Sequence, residues 1–172
     1  ASIVFLWVLF FPYAGITHDA QLYTLQALSH VEPELYKNDI FLRFGSQDQL
    51  TLFSPLYASA IQWVGLERAG AWLTLIGHFL FLSGVFLLAK KIMPYGLAVF
   101  SVGLIIAVSS YYSAERVFFY IEMFITPRML AEAFVLFSIT AWLSKKNITA
   151  AILLLIALAL HPLMAAAGLV FF

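Results

Sequence analysis

The order of apolar and polar positions divides this chain into long apolar runs separated by polar stretches. Apolar residues dominate positions 3–14, 69–89, 95–110 and 127–143, and a last apolar run begins at Ile148. A helix needs roughly 20 predominantly apolar residues to cross a bilayer, and most of these runs approach that length. The pattern predicts an all-α fold, a polytopic transmembrane helical bundle with about five or six spans.

Two polar stretches interrupt the apolar runs. Residues 15–68 carry too many charged side chains for a segment buried in hydrocarbon. Residues 111–128 are a shorter stretch that includes Glu115 and Glu122, and aromatic side chains flank these acids as they do at a membrane interface. We expect a long first loop and a shorter second loop on the same side of the membrane.

The first loop contains two stretches that predict interfacial helices. One follows Thr17 and Asp19, either of which is a common helix cap. Its predicted apolar face consists of Leu22, Leu25 and Leu28, and its predicted surface positions are Gln21, Thr24 and Gln26. The other begins with Ser54 as a cap and Pro55 at the first helical position, and it ends at Gly65.

Two lysine pairs determine the predicted orientation. If residues 50–66 lie on the surface, the pairs at 90–91 and 145–146 fall on the side opposite the two loops. Lysines in short loops stay in the cytoplasm, so this arrangement places residues 15–68 and 111–128 outside the cytoplasm of an inner or plasma membrane. A membrane-spanning 50–66 segment would reverse both lysine pairs, and we therefore expect a surface helix there.

The composition agrees with a membrane protein. The 172 residues are 63% hydrophobic and 10% charged, with a mean hydropathy of +0.97 and no net charge. A neutral chain of this kind does not indicate a nucleic-acid partner. We expect residues 1–172 to be a single integral-membrane module and a piece of a longer chain, because the sequence begins without Met and ends inside an apolar run.

His18 and Asp19 are the first ionisable residues after the first apolar run. A carboxylate at the end of a span can take a proton from an acceptor hydroxyl as a general base. The structural alternative for Asp19 is a helix N-cap. The side chain of His18 can orient an acceptor or bind phosphate, and its structural alternative is an ordinary histidine of an interfacial loop.

Arg128 and His161 are the candidates in the later spans. Arg128 begins an apolar run, where its guanidinium can bind a phosphate through two hydrogen bonds. The alternative is an ion pair with Glu132, four residues further along the helix. His161 precedes Pro162, so the last helix is expected to kink or break there. An ionisable residue inside an apolar run is by default a functional hypothesis.

This arrangement resembles the GT-C superfamily of polytopic membrane glycosyltransferases. The resemblance rests on the stretch around His18 and Asp19, the helix at Ser54, the second loop, and the run that leads into Arg128. It implies transfer of a sugar from a polyprenyl-phosphate donor to an envelope glycan, lipid or protein acceptor on the extracytoplasmic face. Asp19 would be the catalytic base.

The resemblance also implies the roles of the other site residues. His18, Arg128 and His161 would bind substrate, with Arg128 and His161 at the lipid phosphate. A divalent metal ion is a possible cofactor, and Glu115 and Glu122 are its candidate ligands. The expected partners are membrane lipid, the lipid-linked sugar and further subunits of a complex. The alternative is a transporter or a lipid-binding or structural subunit, with Arg128, Glu132 and His161 as a polar pathway.

Overall fold

The computed structural model describes residues 7, 9–46, 48–108, 111–112 and 118–171. The helices are α1 (Ala20–Val31), α2 (Pro33–Tyr36), α3 (Phe53–Val64), α4 (Leu66–Ile92), α5 (Tyr95–Ala107), α6 (Pro127–Leu143), α7 (Asn147–Leu160) and α8 (Pro162–Leu169). The first loop also contains a π-helical turn (Phe41–Gly45) and a 3-10 turn (Asp48–Leu50). Two short antiparallel strands pair with each other, β1 (Tyr111–Tyr112) and β2 (Phe118–Phe119). The all-α class is confirmed, since strand pairing within this part of the chain amounts to two residue pairs.

Helix α4 is the longest apolar element. Of the helices in the described ranges, α4 alone is long and apolar enough to cross a bilayer unaided, and α5 and α7 are shorter apolar helices. Lys90 and Lys91 lie in the last turn of α4, where their charges interact favourably with the negative end of the helix dipole. One helix of this kind is consistent with a membrane protein, whereas the number of spans stays a prediction.

Helix α3 has the length of a surface helix. Its 12 residues span about 18 Å, well short of a bilayer core. It ends at Gly65 as predicted, where the backbone turns through a positive φ of 85°. The prediction that Ser54 caps α3 is wrong. The helix begins at Phe53, whose backbone N–H donates to the Thr51 hydroxyl at 3.0 Å, and Ser54 is buried inside the first turn.

Helix α1 faces the core with small and polar side chains. The prediction that Thr24 and Gln26 lie on the surface is wrong, because both are buried, while Leu22 is 46% exposed. Both polar side chains have partners inside the fold. The Thr24 hydroxyl lies 3.4 Å from the hydroxyl of Tyr57, and the Gln26 amide donates to the Ser46 hydroxyl at 2.9 Å. These partners make burial of polar side chains tolerable, and of the predicted apolar face Leu25 and Leu28 are half-buried while Leu22 is exposed.

Helix α6 packs between α4 and α7 through small residues. A Cβ placed on Gly84 of α4 would lie 3.0 Å from the Leu136 Cβ, which shows how closely α4 and α6 approach. On the other side of α6, the Ser138 hydroxyl donates to the Ala150 carbonyl at 2.7 Å. Small residues and interhelical hydrogen bonds are common where helices pack together in a membrane.

The chain breaks at His161 as the sequence predicts. Helix α7 ends at Leu160, α8 begins at Pro162, and His161 between them is extended with φ −156°. The break also touches the first loop, since the backbone N–H of Leu52 donates to the Ala159 carbonyl at 2.7 Å. The fold therefore brings the first loop next to His161.

Candidate functional site

Asp19 occupies the N-cap position of α1 without acting as a cap. Its carboxylate accepts no hydrogen bond from the first turn of α1, all of which the structure describes. Oδ1 lies 3.0 Å from Nδ1 of His18, and Oδ2 accepts from Nη2 of Arg128 at 2.8 Å. The N-cap alternative for Asp19 is therefore wrong, and its side chain is committed to two ionisable partners.

Arg128 connects Asp19 to a second, more deeply buried carboxylate. Arg128 lies in the first turn of α6 with 13% of its side chain exposed, and its Nη2 is also 2.6 Å from Oε1 of Glu122. The other oxygen of Glu122 accepts a hydrogen bond from the Thr126 hydroxyl. Arg128 therefore forms ion pairs with Asp19 and Glu122, and both partners lie outside α6.

Glu122 is the most deeply buried of these groups. Only 2% of its surface is exposed. Burial raises the pKa of the Glu122 carboxyl, although the positive charge of Arg128 and the hydrogen bond from Thr126 act in the opposite direction. The contact with Arg128 thus only partly offsets the cost of burying this carboxylate.

The backbone that presents Asp19 is held in an uncommon conformation. His18 has a positive φ of 51°, a region that residues other than glycine seldom adopt. Its imidazole stacks on the Phe124 ring, with 5.5 Å between the ring centroids. Just before it, the backbone N–H of Ala14 donates to the Met123 carbonyl at 2.7 Å. The second loop therefore supports both the histidine ring and the chain leading to it.

Two adjoining cavities lie beside these residues. The Asp19 cavity, of about 200 Å³, is lined by Asp19, Leu22, Tyr23, Gln26, Phe41 and Gly45. The His161 cavity, of about 260 Å³, is lined by Leu50, Thr51, Pro127, Pro162, Leu163 and His161, together with Tyr23 and Gln26. Because Tyr23 and Gln26 line both cavities, they form the boundary between Asp19 and His161.

His161 and Tyr23 are hydrogen-bonding groups of the His161 cavity. The Nδ1 atom of His161 accepts from the backbone N–H of Met164 at 3.3 Å, so in the neutral ring the proton is on Nε2, which is a donor. Burial raises the pKa of the Tyr23 hydroxyl, which therefore stays protonated near neutral pH. A donor histidine and a neutral tyrosine are suited to hydroxyl and phosphoryl oxygens.

The structure brings together most of the predicted site. His18, Asp19 and Arg128 are in contact, and His161 lines the neighbouring cavity. Glu122 joins them as a partner of Arg128, whereas Glu115 lies outside the described residues. No three His, Asp or Glu side chains of the described ranges gather as a metal site would require, so the metal cofactor stays a prediction.

Sequence reasoning missed Tyr23 and Gln26 as site residues. The available signal was helical spacing, because residues four and seven positions after Asp19 share its side of a helix. The spacing did not indicate that this face of the helix lines a cavity, because a helix face exposed to solvent has the same pattern of polar residues.

Comparison of the chain with protein-family models, with curated proteins and with solved structures finds no match.

Proposed function

We propose that this protein is a membrane glycosyltransferase of GT-C type. It transfers a sugar from a polyprenyl-phosphate donor to an acceptor hydroxyl in an envelope glycan, lipid or protein, on the extracytoplasmic side of an inner or plasma membrane. The proposal includes a polytopic bundle in which α4, α5, α6 and the α7–α8 pair lie in the bilayer, with the first and second loops outside the cytoplasm.

The observation that supports it best is the position of the Asp19 carboxylate. A carboxylate that stabilised α1 alone would accept hydrogen bonds from the first turn of that helix. Asp19 instead contacts His18 and Arg128 and lines a cavity, and it is one-third exposed. An anchored carboxylate at the wall of a cavity has the geometry of a general base.

The chemistry assigns a role to each group. Asp19 takes the proton of the acceptor hydroxyl as the acceptor oxygen bonds to the anomeric carbon of the sugar. The bond from that carbon to the phosphate oxygen breaks, and polyprenyl phosphate leaves with the electron pair. Negative charge therefore grows on the phosphate, and positively charged or donating groups nearby stabilise the transition state.

We assign that stabilisation to Arg128 and His161. The guanidinium of Arg128, in the first turn of α6, contacts the Asp19 carboxylate. The preceding residue, Pro127, lines the His161 cavity. His161 lines the same cavity and carries the proton on Nε2 in its neutral ring. In this arrangement the acceptor occupies the Asp19 cavity and the sugar phosphate occupies the His161 cavity, with Tyr23 between them.

Glycosyl transfer by the full-length protein in nanodiscs tests this function. The assay supplies lipid-linked sugars extracted from the source membranes and measures released polyprenyl phosphate. Asp19→Asn keeps the size of the side chain and removes its charge, so we expect turnover to fall by about a hundredfold or more with retained binding of polyprenyl phosphate.

Asp39→Asn is the matched control. Asp39 belongs to the same loop, and its Oδ1 accepts from the backbone N–H of Leu42 at 3.0 Å, a bond that asparagine preserves. We expect this variant to retain full turnover. Full turnover by Asp19→Asn would overturn the assignment of the base. Binding of polyprenyl phosphate without any turnover would instead favour a lipid-binding scaffold.

A further inference from the structure

His78 is a buried polar residue in the middle of α4 that the proposed chemistry does not use. It is 1% exposed, and its Nε2 lies 2.6 Å from the backbone carbonyl oxygen of Glu122. A carbonyl oxygen only accepts, so Nε2 carries the proton and donates. This bond connects α4 to the second loop, 44 positions further along the chain.

The hydrogen bond from Nε2 is the polar contact that the buried imidazole makes. The edge of the Trp7 ring packs against it, with the ring centroids 4.8 Å apart and the planes at 83°. Among the described residues Nδ1 of His78 has no hydrogen-bond partner. An apolar side chain would fill the same space without the unpaired Nδ1 atom. What it would lack is the Nε2 hydrogen for the Glu122 carbonyl.

The Glu122 carbonyl belongs to a loop on which the Asp19 site depends. Two successive carbonyl oxygens of this loop are held from different sides, that of Glu122 by His78 and that of Met123 by the backbone N–H of Ala14. The side chain of Glu122 contacts Arg128 at 2.6 Å, and Arg128 contacts Asp19 at 2.8 Å. A continuous series of contacts therefore runs from α4 to Asp19.

We infer that His78 is a positioning residue for the Asp19 site. Its hydrogen bond fixes the second loop so that Glu122 holds Arg128 and Arg128 holds the Asp19 carboxylate at its cavity. The effect of His78 on turnover rests on the function proposed above, whereas its effect on the loop does not.

The effect on the loop is tested without any assay of activity. Melting temperatures of the full-length protein are measured for His78→Leu and Arg128→Met, alone and combined. Removal of Arg128 ends the contact that the His78 bond supports, so we expect His78→Leu to lower the melting temperature less in the Arg128→Met background than in the wild type. Equal losses in both backgrounds would overturn the inference.

Thr74→Ala is the matched control for that cycle. Thr74 is also buried in α4, but its hydroxyl donates within the helix to the Gly70 carbonyl at 2.8 Å. We expect its effect to be the same with and without Arg128. If His78→Leu does not fold, His78→Asn replaces it, because the asparagine amide ends near the position of Nδ1 and does not reach the carbonyl.

Rescue by glutamine separates positioning from general stability. The Nε2 of glutamine reaches about as far as that of histidine, so His78→Gln restores the donor to the Glu122 carbonyl. We expect His78→Leu to lower kcat by about tenfold to a hundredfold with little change in KM for the lipid donor. We expect His78→Gln to recover most of that loss.

A loss that glutamine does not recover would overturn the inference. If the melting temperatures of the cycle were non-additive but the wild type showed no turnover, the positioning role would be supported and the proposed function contradicted.

Discussion

The Nη2 atom of Arg128 lies 2.8 Å from Oδ2 of Asp19 and so joins the first turn of α6 to the residue before α1, 109 positions earlier in the sequence. The same nitrogen contacts Glu122 of the second loop. One guanidinium therefore unites the first loop, the second loop and a helix of the bundle.

Removal of Arg128 is expected to destabilise the protein through Glu122. Glu122 is 2% exposed in the wild type, and Arg128→Met removes the cation that contacts its carboxylate. Breaking a buried pair on one side typically costs about 3–5 kcal/mol, because a buried charge remains uncompensated. Urea unfolding of the full-length protein near neutral pH should show a loss of this size. The double variant Arg128→Met, Glu122→Gln should recover much of it. A failure to recover would show that the loss comes from the contact with Asp19 or from packing of the arginine side chain.

Replacement of Glu122 by glutamine is expected to have a pH-dependent effect. The pKa of the Glu122 carboxyl is raised by burial, so folding favours its protonated form. The wild type therefore loses stability as the pH rises from the ordinary pKa of a glutamate through the raised value in the folded protein. Glutamine cannot ionise and escapes this loss. Thermal unfolding is measured for both proteins at about pH 4 and about pH 8. We expect the melting temperature of Glu122→Gln minus that of the wild type to be larger at the higher pH. A smaller difference at the higher pH would mean that the ion pair with Arg128 outweighs the cost of burial.

The orientation of the loops can be checked in a chain without native cysteine. Lys37 lies in the first loop, Asn147 begins α7 beside a lysine pair, and both are exposed. In intact cells a membrane-impermeant maleimide should label Lys37→Cys directly and Asn147→Cys only after permeabilisation. The reverse labelling would contradict both the topology and an extracytoplasmic site.

The elements that the sequence predicted well depend on local signals. The bounds of α6, the end of α3 at Gly65 and the break at His161 follow from apolar length and from glycine and proline, whose backbone effects do not depend on distant residues. The predicted series of spans is only partly tested, because α4 is the one helix of the described residues that meets the criterion of length and hydropathy by itself.

The parts that the sequence did not predict depend on distant partners. Thr24 is buried because Tyr57, 33 positions later, supplies a hydroxyl, and Gln26 because Ser46 does. Asp19 likewise pairs with Arg128 and does not cap α1, and no local sequence pattern connects these two residues. Polar side chains of this kind have the same pattern on a solvated surface as beside a cavity, so only tertiary contacts distinguish the two.

One pair of substitutions can separate the observed role of His161 as a helix cap from the role that we propose for it at the sugar phosphate. Its Nδ1 caps α8 by accepting from the Met164 backbone N–H, and its Nε2 hydrogen is the donor assigned to the sugar phosphate. Asparagine is among the best N-cap residues and can replace the first role, but its side chain is too short for the second. We expect His161→Ala to lower the free energy of unfolding by about 1 kcal/mol and His161→Asn to keep it near the wild-type value. Both variants should bind polyprenyl phosphate more weakly, as measured by its effect on the melting temperature. If His161→Asn bound the lipid as tightly as the wild type, the histidine would be a helix cap alone, and the donor would have to be held by other groups of the cavity.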